Sequence, residues 1–232
     1  MKNIITLLLA IVFSAGAATA QETFQGTLNY GFKFSGEGIE QAQAMLPTGM
    51  EMIIRKSDVI VEMQGGMMAM MMGKILTLGK KGKTYMIKDS EETIYVMDVE
   101  KMKDDAGDAP KPKITKEDET LTIAGYECQK YKVTMETPQG EMTQQVWVTD
   151  QIKLPKSEGA GGPGGGLTSG LTMEGLPGLP LKTMINQGPI TVIMTAKTVD
   201  PGVPDKKLFK LPKGYDKEEF DMKSMMGGMG GM

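Results

Sequence analysis

The stretch FQGTLNYGFKF, residues 24–34, decides the fold. Phe24, Leu28, Tyr30, Phe32 and Phe34 fall on one side of an extended chain. Gln25, Thr27, Asn29 and Lys33 fall on the other. Alternation with a period of two is the signature of a β-strand with one dry and one wet face.

The same pattern recurs outward from this segment. Met50, Met52 and Ile54 alternate with polar neighbours, and Val59, Val61 and Met63 repeat the pattern after a turn at Lys56-Ser57. Strands are predicted over 74–79 and 83–88, joined by Gly79-Lys80-Lys81-Gly82, and over 92–98. Residues 101–113 (KMKDDAGDAPKPK) are polar, contain prolines and predict an exposed loop. Strands resume over 119–124, 127–136 and 141–149, and a last hairpin over 181–187 and 189–199 turns at Gln187-Gly188. The best helix candidate is 36–46 (GEGIEQAQAML), stopped by Pro47. So many neighbouring strands predict a mainly β domain: a strongly curved antiparallel sheet or incomplete barrel with one or two short helices.

Segment 156–180 breaks the alternation. The run GAGGPGGG (159–166) is followed by Leu167, Leu171, Met173, Leu176 and Leu179, set among further glycines and prolines. Apolar residues on a glycine-rich chain predict a flap that lies on an apolar groove, or else a long loop packed on the edge of the core.

The N-terminus predicts export. Lys2 precedes the apolar run IITLLLAIVF (4–13), and Ala18-Thr19-Ala20 offers a peptidase site with cleavage after Ala20. The run is shorter than the roughly 20 apolar residues that span a bilayer. No cysteine follows it, and no later stretch is apolar enough for an integral membrane segment, so the mature chain is expected free in the periplasm or secreted. Its 25 basic and 29 acidic residues leave it acidic, and Arg55 is its only arginine, which argues against a nucleic-acid partner. The domain is expected over 21–215, with a Met/Gly-rich disordered tail over 216–232.

The absence of histidine removes the common nucleophilic triads and histidine-ligated zinc. The acids show no pairing by spacing, so no catalytic residue and no cofactor is assigned. Cys128 has no partner for an intramolecular disulfide and reads as a small buried side chain.

Methionine, present 23 times, is the compositional anomaly. Met86, Met97, Met135, Met142 and Met194 lie on predicted strands and read as core fillers. Two clusters differ: GGMMAMMMG (65–73), with Met67, Met68, Met70, Met71 and Met72, and MMGGMGGM (225–232), with Met225, Met226, Met229 and Met232. The leading reading is adaptable apolar surface over a groove or loop. The alternative is a soft Cu(I) site, since thioether sulfur suits that ion.

Four stretches carry a resemblance: LTIAGYECQKYKV (121–133), VWVTDQI (146–152), GLPGLPLKTM (175–184) and LFKLPKGY (208–215). In order and spacing they resemble domain-of-unknown-function family 4412, an envelope family grouped with the LolA/LolB lipoprotein-carrier-like folds. The GLPGL segment is also similar to the GLPGLI group typical of Bacteroidota. The resemblance implies a half-open antiparallel β-barrel whose concave face is covered by helices or loops and, in the carriers, holds acyl chains. It carries no catalytic residues. The methionine content and the glycine-rich flap depart from the carriers. Three functions follow as expectations: a binding protein for a lipid or other apolar ligand, a Cu(I)-binding or copper-stress protein, and a structural envelope protein with a filled core and a protein partner.

Overall fold

A computed structural model describes residues 23–98, 111–137, 140–155 and 175–220. Twelve strands form a single sheet in the order β12-β6-β5-β4-β3-β2-β1-β11-β10-β9-β8-β7. They are β1 (Gly26–Gly36), β2 (Gly49–Arg55), β3 (Asp58–Gln64), β4 (Lys74–Leu78), β5 (Lys83–Lys88), β6 (Thr93–Met97), β7 (Lys113–Ile123), β8 (Tyr126–Thr137), β9 (Gly140–Thr149), β10 (Leu179–Gln187), β11 (Ile190–Pro201) and β12 (Asp216–Glu219). All described pairings are antiparallel except that of β12, which runs parallel to β6. The sheet does not close on itself, and β7 and β12 are its edges.

Sequence FQGTLNYGFKF supplies the hub. β1 pairs with β2 on one side and β11 on the other, joining the N-terminal meander to the last hairpin of the chain. At about 20° of twist between neighbours, twelve strands cannot stay flat. Irregularities at Asn29/Tyr30, Pro180/Lys182 and Lys116/Thr120 bend the sheet further, as bulges do. The hairpin between β7 and β8 turns on Ala124 and Gly125, both with positive φ (49° and 87°), the two-residue geometry that matches strand twist.

Two α-helices are present among the described residues. α1 (Ile39–Ala42) is one turn long, shorter than the helix expected over 36–46, and the chain continues in turns to Pro47. α2 (Gly66–Met72) was not expected: the methionine cluster was assigned no regular element, and it is a helix. Methionine is a good helix former, and the flanking glycines supply the backbone the ends require. Gly65, Gly66 and Gly73 all have positive φ, and a Cβ on Gly66 would stand 2.2 Å from the Leu46 carbonyl oxygen.

Two further boundaries differ from expectation. β7 begins at Lys113, the last residue of the expected loop, six residues before the strand expected over 119–124, and residues 101–110 of that loop lie outside the described residues; an edge strand tolerates charge on both faces. Residues 216–219, expected to open the tail, form β12 instead. Backbone hydrogen bonds Asp216 N–H to Glu92 O (3.0 Å) and Phe220 N–H to Val96 O (2.9 Å) extend that pairing. Backbone pairing needs no apolar side chain, which is why DKEE gave no signal.

Candidate functional site

Directly opposed residues in neighbouring strands share a face. The registers therefore draw out three rows on one face, here termed inner. Leu28, Met52, Val61, Ile75 and Met86 form the first, across β1 to β5. Ala196, Tyr30, Met50 and Met63 form the second. Phe32, Met194, Thr183, Val146 and Tyr131 form the third, from β1 through β11, β10 and β9 to β8. Most of these side chains are buried, and methionine recurs in every row.

The opposite, outer face is closed at one end by the chain's own C-terminal segment. Ile53, Ile60, Leu76, Tyr85 and Val96 make one row, and Phe209, Leu211 and Tyr215 pack on it. Arg55 Nε donates to the Pro204 carbonyl at 3.0 Å, and Tyr215 Oη donates to Asp89 at 3.0 Å, a bond that raises the Tyr215 phenol pKa. At the β7–β10 end, charge gathers around Trp147, whose ring is buried in the main core cluster. The Lys130 and Lys182 ammoniums lie 5.1 and 4.2 Å from the centroid of the Trp147 ring. Trp147 Nε1 donates to Glu119 at 3.1 Å, and Lys130 pairs with Glu119 and Glu117 at 2.8 and 3.1 Å. The hydrogen bond from Lys130 holds the Glu119 carboxyl below the usual carboxylate range.

The inner face is covered in pieces. Ala69 and Met72 of α2 pack against its main cluster. Leu176 packs on the smaller cluster of Val133, Val146 and Val148, beside Ile114, Tyr131 and Met135. Leu176 is thus the residue that segment 156–180 contributes to the smaller cluster among the described residues. Leu179 has a different place: it is the first residue of β10, fully buried in the main core. Leu167, Leu171 and Met173 lie outside the described residues, as do Met225, Met226, Met229 and Met232 and the proposed leader 1–20. The structure therefore separates Leu176 and Leu179, which the sequence had grouped.

Polar groups on this face are few and mostly paired. Thr77 and Thr84 are buried opposite each other with their hydroxyls 3.2 Å apart. Tyr30 Oη donates to the Pro180 carbonyl at 3.0 Å, and burial drives its phenol pKa far upward. Thr183 differs. Its side chain is 2% exposed, and its hydroxyl has no hydrogen-bond partner among the described residues. An unpaired buried hydroxyl costs about 1–3 kcal/mol. Thr183 was missed from sequence, although its signal was there: it is the polar residue where β10 alternation calls for an apolar one, between Leu181 and Ile185.

Met67, Met68, Met70 and Met71 are exposed on α2, whereas Met72 turns inward. Cys128 is buried, its thiol 3.5 Å from the Tyr126 carbonyl, and burial pushes it up to about 11.

The profile of the family described as "Domain of unknown function (DUF4412)" matches residues 37–215, most of the chain. The chain belongs to the DUF4412 family. The match takes in both helices, β2 to β11 and the strap ending at Tyr215. The family-like stretch LFKLPKGY is the segment that covers the outer face, and GLPGLPLKTM carries Leu176, the irregularity at Pro180 and Thr183. No curated protein matches the sequence. Among solved structures, this DUF4412 protein is similar to the lipoprotein LppX of Mycobacterium tuberculosis, with 10% identity and a TM-score of 0.37 over 75% of this chain and 85% of that one. It is also similar to LprF from Mycobacterium bovis, with 10% identity and a TM-score of 0.35 over 82% of this chain and 90% of that one. Among the described residues no helix is long and apolar enough to cross a membrane.

Proposed function

We propose that this DUF4412 protein is an exported, periplasmic or secreted binding protein that holds a lipid or other apolar ligand on the inner face of its sheet. The observation that carries the reading is Thr183: one unpaired hydroxyl buried between the apolar side chains of Met194 and Val146. Apolar sites that bind small molecules combine such a lining with a few placed polar groups. Methionine side chains adapt to variable acyl shapes. The ligand in this reading is an amphiphile whose polar end meets Thr183 and whose apolar part lies along Met194, Phe32 and Val146. Leu176 covers the β7–β9 end of the face, and Leu167, Leu171 and Met173 are proposed to extend that cover. The leader at residues 1–20, with cleavage after Ala20, supports export. The reading assigns no catalytic step.

The test pairs a ligand search with one substitution. Protein purified from its own host is extracted for lipids and titrated with a fluorescent fatty acid. Thr183→Val keeps the shape and removes the hydroxyl. It should leave the protein as stable as before or more so, while probe affinity falls roughly tenfold, equivalent to one hydrogen bond. Clean extracts and no probe response would reject the reading in favour of a filled structural core.

A further inference from the structure

α2 is a seven-residue helix in which five residues are methionine and none is charged. At 3.6 residues per turn, successive side chains are 100° apart. Ala69 and Met72 turn into the core, so the opposite side is set by Met67, Met70 and Met71, at positions i, i+3 and i+4. All three are exposed, at 55%, 80% and 39%, as is Met68 at 42%, so the choice of the three rests on the helical spacing. Met68 falls on the flank.

Helical neighbours at these spacings have Cβ atoms about 5–6 Å apart. Each thioether stands beyond its Cβ on a flexible unbranched chain, so three sulfurs can converge on one ion. The helix that presents them is held firmly. Met67 and Met68 N–H groups donate to the Ala44 and Met45 carbonyls at 3.1 and 3.0 Å. Gly65, Gly66 and Gly73 adopt conformations that side chains resist, each with backbone or side-chain atoms within 2.4 Å of where a Cβ would stand. The nearest lysines in sequence and contact are engaged with acids: Lys74 with Glu62 at 3.6 Å and Lys88 with Glu91 at 2.9 Å.

Simple apolar cover does not account for this face, because the three side chains point away from the sheet they would cover. A soft donor set without nitrogen, thiolate or carboxylate selects a soft monovalent ion. We infer that Met67, Met70 and Met71 form an all-thioether site for Cu(I) on the outward side of α2. The site is separate from the inner face and stands or falls independently of the apolar-ligand reading. Thioethers carry no proton to release, so binding is insensitive to pH, unlike a thiolate or carboxylate site.

The experiment uses the full protein and Cu(I) held reduced by ascorbate, in competition with a chromophoric Cu(I) chelator. Met67→Leu/Met70→Leu/Met71→Leu keeps the apolar surface and the helix propensity while removing all three sulfurs. It should bind one Cu(I) fewer than the native chain, with unchanged Trp147 emission. Met70→Leu alone, at the most exposed position, should weaken that site roughly tenfold. Met68→Leu should leave it unaltered. Equal stoichiometry and affinity in the native and triply substituted chains would overturn the assignment, as would failure of the native chain to compete for Cu(I).

Discussion

Cys128 shows how a residue's chemistry is set by its surroundings. The thiolate is the reactive form, and burial holds the thiol at a pKa of about 11, well above its ordinary value. At pH 8 in the folded protein the side chain is both neutral and shielded. An aromatic disulfide reagent should therefore leave the native chain untouched and titrate one thiol once denaturant is added. Rapid stoichiometric reaction without denaturant would contradict the packing described. Cys128 was readable from sequence because its position on an alternating strand predicts burial. Thr183 was harder: a single hydroxyl on a dry face is visible as a break in alternation, but only the registers show which side chains surround it. The clamp around Trp147 was not readable at all, since Glu119, Lys130, Trp147 and Lys182 come from four strands.

Among elements, most strands were legible and α1 was placed though too long, whereas α2 and β12 were not. Alternation is a local signal, and β2 through β6 followed it within a residue or two. α2 is too short for a periodic signal, and its repeated methionines look alike whether helical or extended. The C-terminal strap was familiar as a motif, but its role came from the structure. Phe209 is 6% exposed and inserts into the outer cluster of Ile60, Leu76, Tyr85, Ile87 and Ile94. Phe209→Ala should cost about 3 kcal/mol, the usual scale for removing a buried aromatic ring. Chemical denaturation followed by Trp147 emission measures it. Because the strap lies on the outer face, the same substitution should leave affinity for a fluorescent fatty acid unchanged in the folded protein.

For the whole molecule, the order of the strands was the part hidden from sequence. A simple meander would place β1 at an edge. Instead β1 sits between β2 and β11, and the last hairpin closes back onto the first strand. Non-local pairing of this kind leaves no mark within a short window. The outcome is an open sheet, and open sheets have rims. β6, with the sequence TIYVM, would form one rim if β12 did not lie along it. β12 is DKEE, with all four side chains exposed, and the opposite rim is the charged strand β7. Charged outermost strands keep sheets of different molecules from joining edge to edge. A chain ending at Tyr215 should therefore fold but self-associate, seen as rising light scattering with concentration, whereas the full chain stays monodisperse. Four residues with no core contact thus act as a guard against polymerisation.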